Sequence, residues 1–303
     1  MKVWKAELAL VFITLIWGAT FTFTKNGLEN SSPSLFLILR FSISILIAII
    51  FFNKYLRKID KLTLRNGIIL GCLLGGGFVF QTYGLVDVMA SKSAIITGLS
   101  VTLTPFAFWI VTKRKIEFWQ IIGVIIATIG LWLFNPRIDT ISRGDILVII
   151  STFFWAFYIT YMDVFTKNVE KFAETAQLVI IQIICVVPIA LIPFFLFDIH
   201  NLHFCINTKL ITSLAYNGII ASFILTLIHT SVQRYTTPVK AALIFSLEPV
   251  FASIIAIILL QEELKYWEYI GGSLMLFGVI VSEIGPLFFL IWLKVLKIRR
   301  KID

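Results

Sequence analysis

The stretch WQIIGVIIATIGLWLF, residues 119–134, decides how this chain folds. It holds no charged residue and is far too long for a buried strand. At 1.5 Å per residue it spans about 24 Å as a helix, most of a hydrocarbon core of about 30 Å. The pattern then returns as WEYIGGSLMLFGVIVS, residues 267–282. Trp119-x3-Gly123-x6-Gly130 and Trp267-x3-Gly271-x6-Gly278 match at an offset of 148 residues. One apolar helix therefore occurs twice, near the end of each half of the chain.

Outward from this pair, apolar runs of similar length fill nearly all 303 residues. The chain is 59% hydrophobic and only 14% charged, and its mean hydropathy is +0.95. A soluble domain needs more polar surface than that. In lipid only helices and closed barrels satisfy the backbone, and these runs lack the alternation of a barrel strand. The expected fold is all-α and integral to a membrane. Ten transmembrane helices are expected at about 7–25, 34–53, 66–87, 93–112, 118–134, 145–164, 174–197, 210–233, 239–260 and 267–285. Pro286 is expected to interrupt the last of them, and the basic tail 286–303 then extends that helix or lies at the interface. The first span follows Lys2 and Lys5 and reads as an uncleaved anchor rather than a signal peptide.

The net charge of +9 does not point to nucleic acid, because the basic residues sit in short loops and the tail. Of 26 Lys and Arg residues, 19 fall on one side of the alternating loops. That bias places both termini in the cytoplasm, with the cell membrane as the location. Lys25 and Asp163 do not fit the charge pattern. Cys72, Cys185 and Cys205 show no metal spacing, and two of them lie within spans as packing residues.

The repeat extends beyond the tryptophan-glycine helix. Lys92 and Lys240 share the offset of 148, and Trp17 and Trp155 pair at 138. Each half, 1–138 and 139–285, then holds five spans. An odd number of spans makes the halves run in opposite directions. Lys113-Arg114-Lys115 in the first half faces Gln261-Glu262-Glu263 in the second, a sign reversal that inversion predicts. Inverted repeats are a mark of transporters, with the substrate held near the midplane.

Further residues resemble a known family. Trp17-Gly18-Ala19-Thr20-Phe21, Arg40-Phe41, Ser246-Leu247-Glu248-Pro249-Val250-Phe251-Ala252 and Glu262 with Gly271 and Gly278 resemble the EamA-type family of the drug/metabolite transporter superfamily. Gln261 departs from that pattern. The resemblance covers roughly residues 7–284 and implies export or exchange of amino acids, nucleosides or related amphiphiles.

Glu248 is the most informative side chain, an acid deep in its span. It reads as a coupling group that exchanges a proton or meets a substrate cation, or as a structural acid beside the Pro249 kink. Pro105 and Pro249 read as hinges or as plain kinks. Arg40 reads as a carboxylate site, as a partner of Glu248, or as a side chain snorkelling outward. Trp17, Phe21, Trp155 and Tyr158 offer aromatic walls, and Gln81, Tyr83, Thr97 and Ser100 offer hydrogen bonds. The same residues also serve ordinary packing. A lone His229 reads first as structural.

The function expected is secondary transport. No Walker phosphate loop is present, so ATP is not the direct energy source. A pore, or a membrane enzyme built on Asp198, His200 and His203, is the alternative. No cofactor and no metal are expected. The partners expected are a small-molecule substrate, the lipid bilayer and, in one reading, a second copy as a homodimer.

Overall fold

The computed structural model describes residues 1–56, 58–134, 142–260 and 266–299. Among them the regular structure is helical, apart from an isolated bridge between Ser31 and Phe204. The chain opens with α1 (Val3–Leu28), α2 (Pro33–Phe52), α3 (Lys61–Asp87), α4 (Ala90–Gly98), α5 (Ser100–Thr112) and α6 (Phe118–Phe134). It continues with α7 (Arg143–Thr166), α8 (Phe172–Pro193), α9 (Thr208–Ala215), α10 (Leu225–Val232), α11 (Pro238–Phe245), α12 (Glu248–Leu260) and α13 (Tyr266–Arg299).

Among the described residues, eight helical stretches are long and apolar enough to cross a membrane, and Phe118–Leu133 and Tyr269–Ser282 are shorter apolar helices. The helix α13 does not stop at Pro286 but runs on to Arg299. Gln261, Glu262 and Glu263 lie outside the described residues.

Two expected spans are broken. Residues 93–112 form α4 and α5, which meet at Leu99, and 239–260 form α11 and α12, which meet at Ser246–Leu247. At each break one amide tightens onto the carbonyl three residues back: Leu99 N–H to Ile96 (3.0 Å) and Leu247 N–H to Ile244 (3.1 Å). Leu99 and Leu247 are 148 residues apart, as are Ile96 and Ile244. Pro249 explains the second break, since it lacks an amide and disfavours helix in the residue before it. Pro105 lies inside α5, past the first break. A third irregularity joins α9 to α10, where Tyr216–Ile224 is wound as a π-helix. The wider turn leaves carbonyls for side chains: Gly218 accepts from Ser44 Oγ at 2.7 Å, and Ala221 from Trp17 Nε1 at 3.4 Å.

Without a hydrophobic drive between helices in lipid, small residues and shape decide packing. Gly67, Gly71 and Gly75 of α3 form a stripe that seats Ile181, Cys185 and Ile189 of α8. At α6 and α13 the backbones touch: a Cβ on Gly123 would stand 2.7 Å from the Gly278 carbonyl, and one on Gly130 would stand 2.7 Å from that of Gly271. Elsewhere α1 packs on α12 as α7 packs on α5, and α3 packs on α8 as α2 packs on the π-helical segment. One apolar core gathers Leu37, Phe41, Leu70, Leu74, Met162 and Ile183. The other gathers Leu10, Ile13, Val101, Ile159, Leu225 and Leu243.

Candidate functional site

Between these cores lies a small cavity, its enclosed space about 60 Å³. Its walls come from both ends of the chain in matched pairs. Trp17 faces it with Trp155, and Thr20 with Tyr158, each pair 138 residues apart. Phe78 and Thr226, Gln81 and His229, Thr97 and Phe245, and Ser100 and Glu248 are each 148 apart, and all line it. The helix breaks supply the last two pairs. Thr97 and Ser100 flank the turn at Leu99, and Phe245 and Glu248 flank the turn at Ser246–Leu247. Breaking both helices here turns side chains and backbone toward the same space.

Arg40 is the cavity's fixed cation. Its side chain is buried, so it does not snorkel. The Nε donates to Ser222 Oγ at 2.7 Å, and the guanidinium lies 4.3 Å from the Phe78 ring centre. It makes no ion pair with Glu248 among the described residues. Instead the two charges stand separately on the same wall system, Arg40 on α2 and Glu248 at the first position of α12. Glu248 makes no side-chain hydrogen bond or ion pair among the described residues. A carboxylate in that setting requires a counter-charge or a proton.

The aromatic lining is ordered edge to face. Phe78 and Trp155 meet at 5.0 Å and 88°, and Trp17 and His229 at 5.7 Å and 89°. Gln81 Nε2 donates to Thr97 Oγ1 at 3.0 Å across α3 and α4. Tyr158 Oη donates to Gln182 at 2.8 Å, which holds its ring against the cavity. Two buried polar atoms on lining residues lack a partner among the described residues: Trp155 Nε1 and His229 Nδ1. His229 uses Nε2 for Gln233 at 3.0 Å, so Nδ1 is the nitrogen left for another group.

Trp17, Arg40, Gln81, Thr97, Trp155, Tyr158 and Glu248 thus share one cavity. Phe21 and Tyr83 lie elsewhere. Phe21 packs with Leu85, Ala94 and Ala252, one helical turn beyond Trp17. Tyr83 sits two residues after Gln81 and so on the other side of α3. Its Oη meets Ser34 Oγ at 2.6 Å and Asp198 at 2.8 Å. Asp198 also accepts from Ser34 N–H at 2.8 Å, and His203 Nε2 lies 3.1 Å from the Glu29 carbonyl. These contacts tie down the loop before α9, and no metal-binding group forms among the described residues. Pro105 is buried in α5 outside the lining, and Pro249 packs near Gly98 beside the first break. His229, Thr226, Thr20 and Phe78 are lining residues that the sequence reading left out or set aside. The offset of 148 from Gln81 was the signal for His229.

Lys25, odd in the charge pattern, has a local role. Its Nζ donates to the carbonyls of Leu85 (2.6 Å), Val86 (3.0 Å) and Val88 (3.0 Å), which caps the end of α3.

Comparisons with known proteins agree with this architecture. A solved crystal structure superposes with a TM-score of 0.73 at 14% identity, covering 92% of this chain and 98% of that one; at that identity the likeness is one of fold. An "uncharacterized transporter" of Archaeoglobus fulgidus is 31% identical over 92% of this chain and 86% of its own length. A "probable amino-acid metabolite efflux pump" of Escherichia coli is 26% identical over 95% of this chain and 96% of its own. The model of the EamA-like transporter family matches twice, at residues 4–135 and 142–284. A family match over nearly the whole length, together with transporters as relatives, places this chain in the EamA-like transporter family.

Proposed function

We propose that the chain is a ten-span secondary carrier built from two inverted five-helix halves, and that it moves small amphiphilic metabolites through the cavity by alternating access. The observation that carries this reading is the cavity lining, made of repeat-related pairs around two matched helix breaks. A site on a pseudo-twofold axis suits a carrier that presents the same groups to either side. Both termini lie in the cytoplasm of the cell membrane in this reading, from the 19 basic residues on one loop set.

The walls favour a cargo with an apolar body and polar ends. Arg40 offers a planar donor for a carboxylate or phosphate, Glu248 an acceptor for an ammonium, and Trp17 and Trp155 faces for the body. Amino acids and nucleosides fit that description, and the name of the E. coli relative supports the former. Export follows if Glu248 trades its counter-cation between substrate and proton, so that an inward proton gradient drives the cargo out.

Reconstituted protein in proteoliposomes is the test, with labelled amino acids and nucleosides. Saturable uptake by the wild type is expected, and its loss in the cavity-filling variant Thr97→Trp. Flux that rises linearly with concentration would instead support a pore.

A further inference from the structure

Two ion pairs repeat the symmetry of the cavity at a distance from it. Lys92 of α4 meets Asp145 of α7 at 2.8 Å. Lys240 of α11 meets Glu7 of α1 at 3.3 Å. The lysines are 148 residues apart and the acids 138, the same offsets that pair the cavity walls. Each bridge therefore joins a broken helix of one half to the first helix of the other half. Chance pairs of surface charges do not obey both offsets at once.

The lysines also occupy a costly position. Both are the third residue of their helix, α4 starting at Ala90 and α11 at Pro238. A cation in the first turn opposes the helix dipole. An acid across the gap offsets that cost, and Asp145 is itself held by the Ser142 amide at 2.8 Å and hydroxyl at 2.9 Å. Asp145 is buried, at 6% exposure, Lys240 and Glu7 are largely shielded, at 18% and 16%, and Lys92 is partly exposed, at 31%.

From each lysine the helix runs five residues to a cavity wall, Lys92 to Thr97 and Lys240 to Phe245, about 7.5 Å at 1.5 Å per residue. In an inverted pair those two approaches come from opposite membrane faces. Each bridge then pins a half-helix that leads to the cavity wall.

We propose that Lys92–Asp145 and Lys240–Glu7 are the two latches of the carrier, one at each mouth, which open in turn. The proposal rests on alternating access through the cavity. Opening one mouth swings a half-helix about its break at Leu99 or Leu247 and parts only the bridge on that side. Removing one bridge biases the population toward the state open on its own face.

The test reads sidedness without any substrate. In a background with Cys72, Cys185 and Cys205 replaced by alanine, Ser100→Cys places a thiol in the cavity wall. Its labelling by a membrane-impermeant maleimide is compared in right-side-out and inside-out vesicles. Lys92→Gln is expected to raise labelling from its own face, taken as the outside, about fivefold relative to the inside. Lys240→Gln is expected to shift the ratio by a similar factor the other way. Asp145→Asn and Glu7→Gln, which keep size and helix position, should follow their partners. A folding defect admits the reagent from both faces and cannot produce opposite shifts. Ratios that stay unchanged, or that move the same way for both bridges, would overturn the latches. Saturable transport with unchanged ratios would sink the latches alone, whereas opposite shifts without transport would keep them and sink the cargo assignment.

Discussion

Gly123 of α6 and Gly278 of α13 are in reciprocal contact: a Cβ on either would stand 2.7 Å from the carbonyl oxygen of the other. Their repeat counterparts also touch, a Cβ on Gly130 standing 2.7 Å from the Gly271 carbonyl oxygen. Exchanging the two halves of the chain turns one contact into the other, as a twofold relation between α6 and α13 would require. The obstacle to any side chain there is backbone, which cannot rotate aside. Gly123→Ala and Gly278→Ala should each lower stability by about 1–3 kcal/mol. Together they should cost less than the sum, because both force the same two helices apart. Thermal unfolding in detergent, followed by size-exclusion elution, measures this.

Arg40→Lys tests whether the guanidinium fork matters. Lysine keeps the charge but cannot both stack over Phe78 and donate through a planar Nε to Ser222. The half-saturation concentration for a carboxylate-bearing cargo should rise about tenfold or more. Ser222→Ala removes only the positioning bond and should raise it about fivefold. Both are read from uptake kinetics in proteoliposomes.

Trp155→Phe separates packing from hydrogen bonding. The variant retains an aromatic face but loses Nε1, which has no partner among the described residues. If that donor serves the cargo, affinity should fall about fivefold with little change in thermal stability. A donor with only a structural cost would give the reverse, a more stable protein with unchanged affinity.

Asp60 gives a pH-dependent effect outside the spans. Its carboxylate accepts from the Thr63 hydroxyl at 2.6 Å and from the Thr63 and Leu62 amides at 2.9 Å each, which caps α3. The Thr63 hydroxyl bond, helped by those amides, holds its carboxyl below the usual carboxylate range. A folded-state pKa below the unfolded one stabilises above the unfolded value, and that gain fades as pH falls through the folded value. Asp60→Ala should therefore lower the Tm at neutral pH, and the gap from wild type should narrow on acidification below the ordinary carboxylate range. Tm against pH for both proteins checks the sign.

The sequence made the apolar helices and the Trp119/Trp267 motif plain, because lipid demands long uncharged runs and touching backbones demand glycine. Pro249 marked the second break, at Ser246–Leu247, but the first, at Leu99, was hidden. No breaker stands at Leu99, and Pro105, the visible one, lies six residues past it. Side-chain direction was only partly legible. Trp17 and Thr20 share a face by helical spacing, yet Phe21, also on that face, falls beyond the cavity's end. Gln81 and Tyr83 look equivalent in the sequence, but two residues turn a helix by about 200°, so only Gln81 faces the cavity. His229 looked isolated because a single histidine carries no pattern, and only its register with Gln81 marks it as a wall residue.

The central claim is that Glu248, in the wall beside the second break, couples cargo movement to protons. Glu248→Gln, which keeps shape but cannot ionise, tests it in proteoliposomes loaded with a transported cargo. The account predicts that cargo-for-cargo exchange survives while pH-gradient-driven accumulation falls to the level without a gradient. Gradient-driven accumulation equal to the wild type would contradict it.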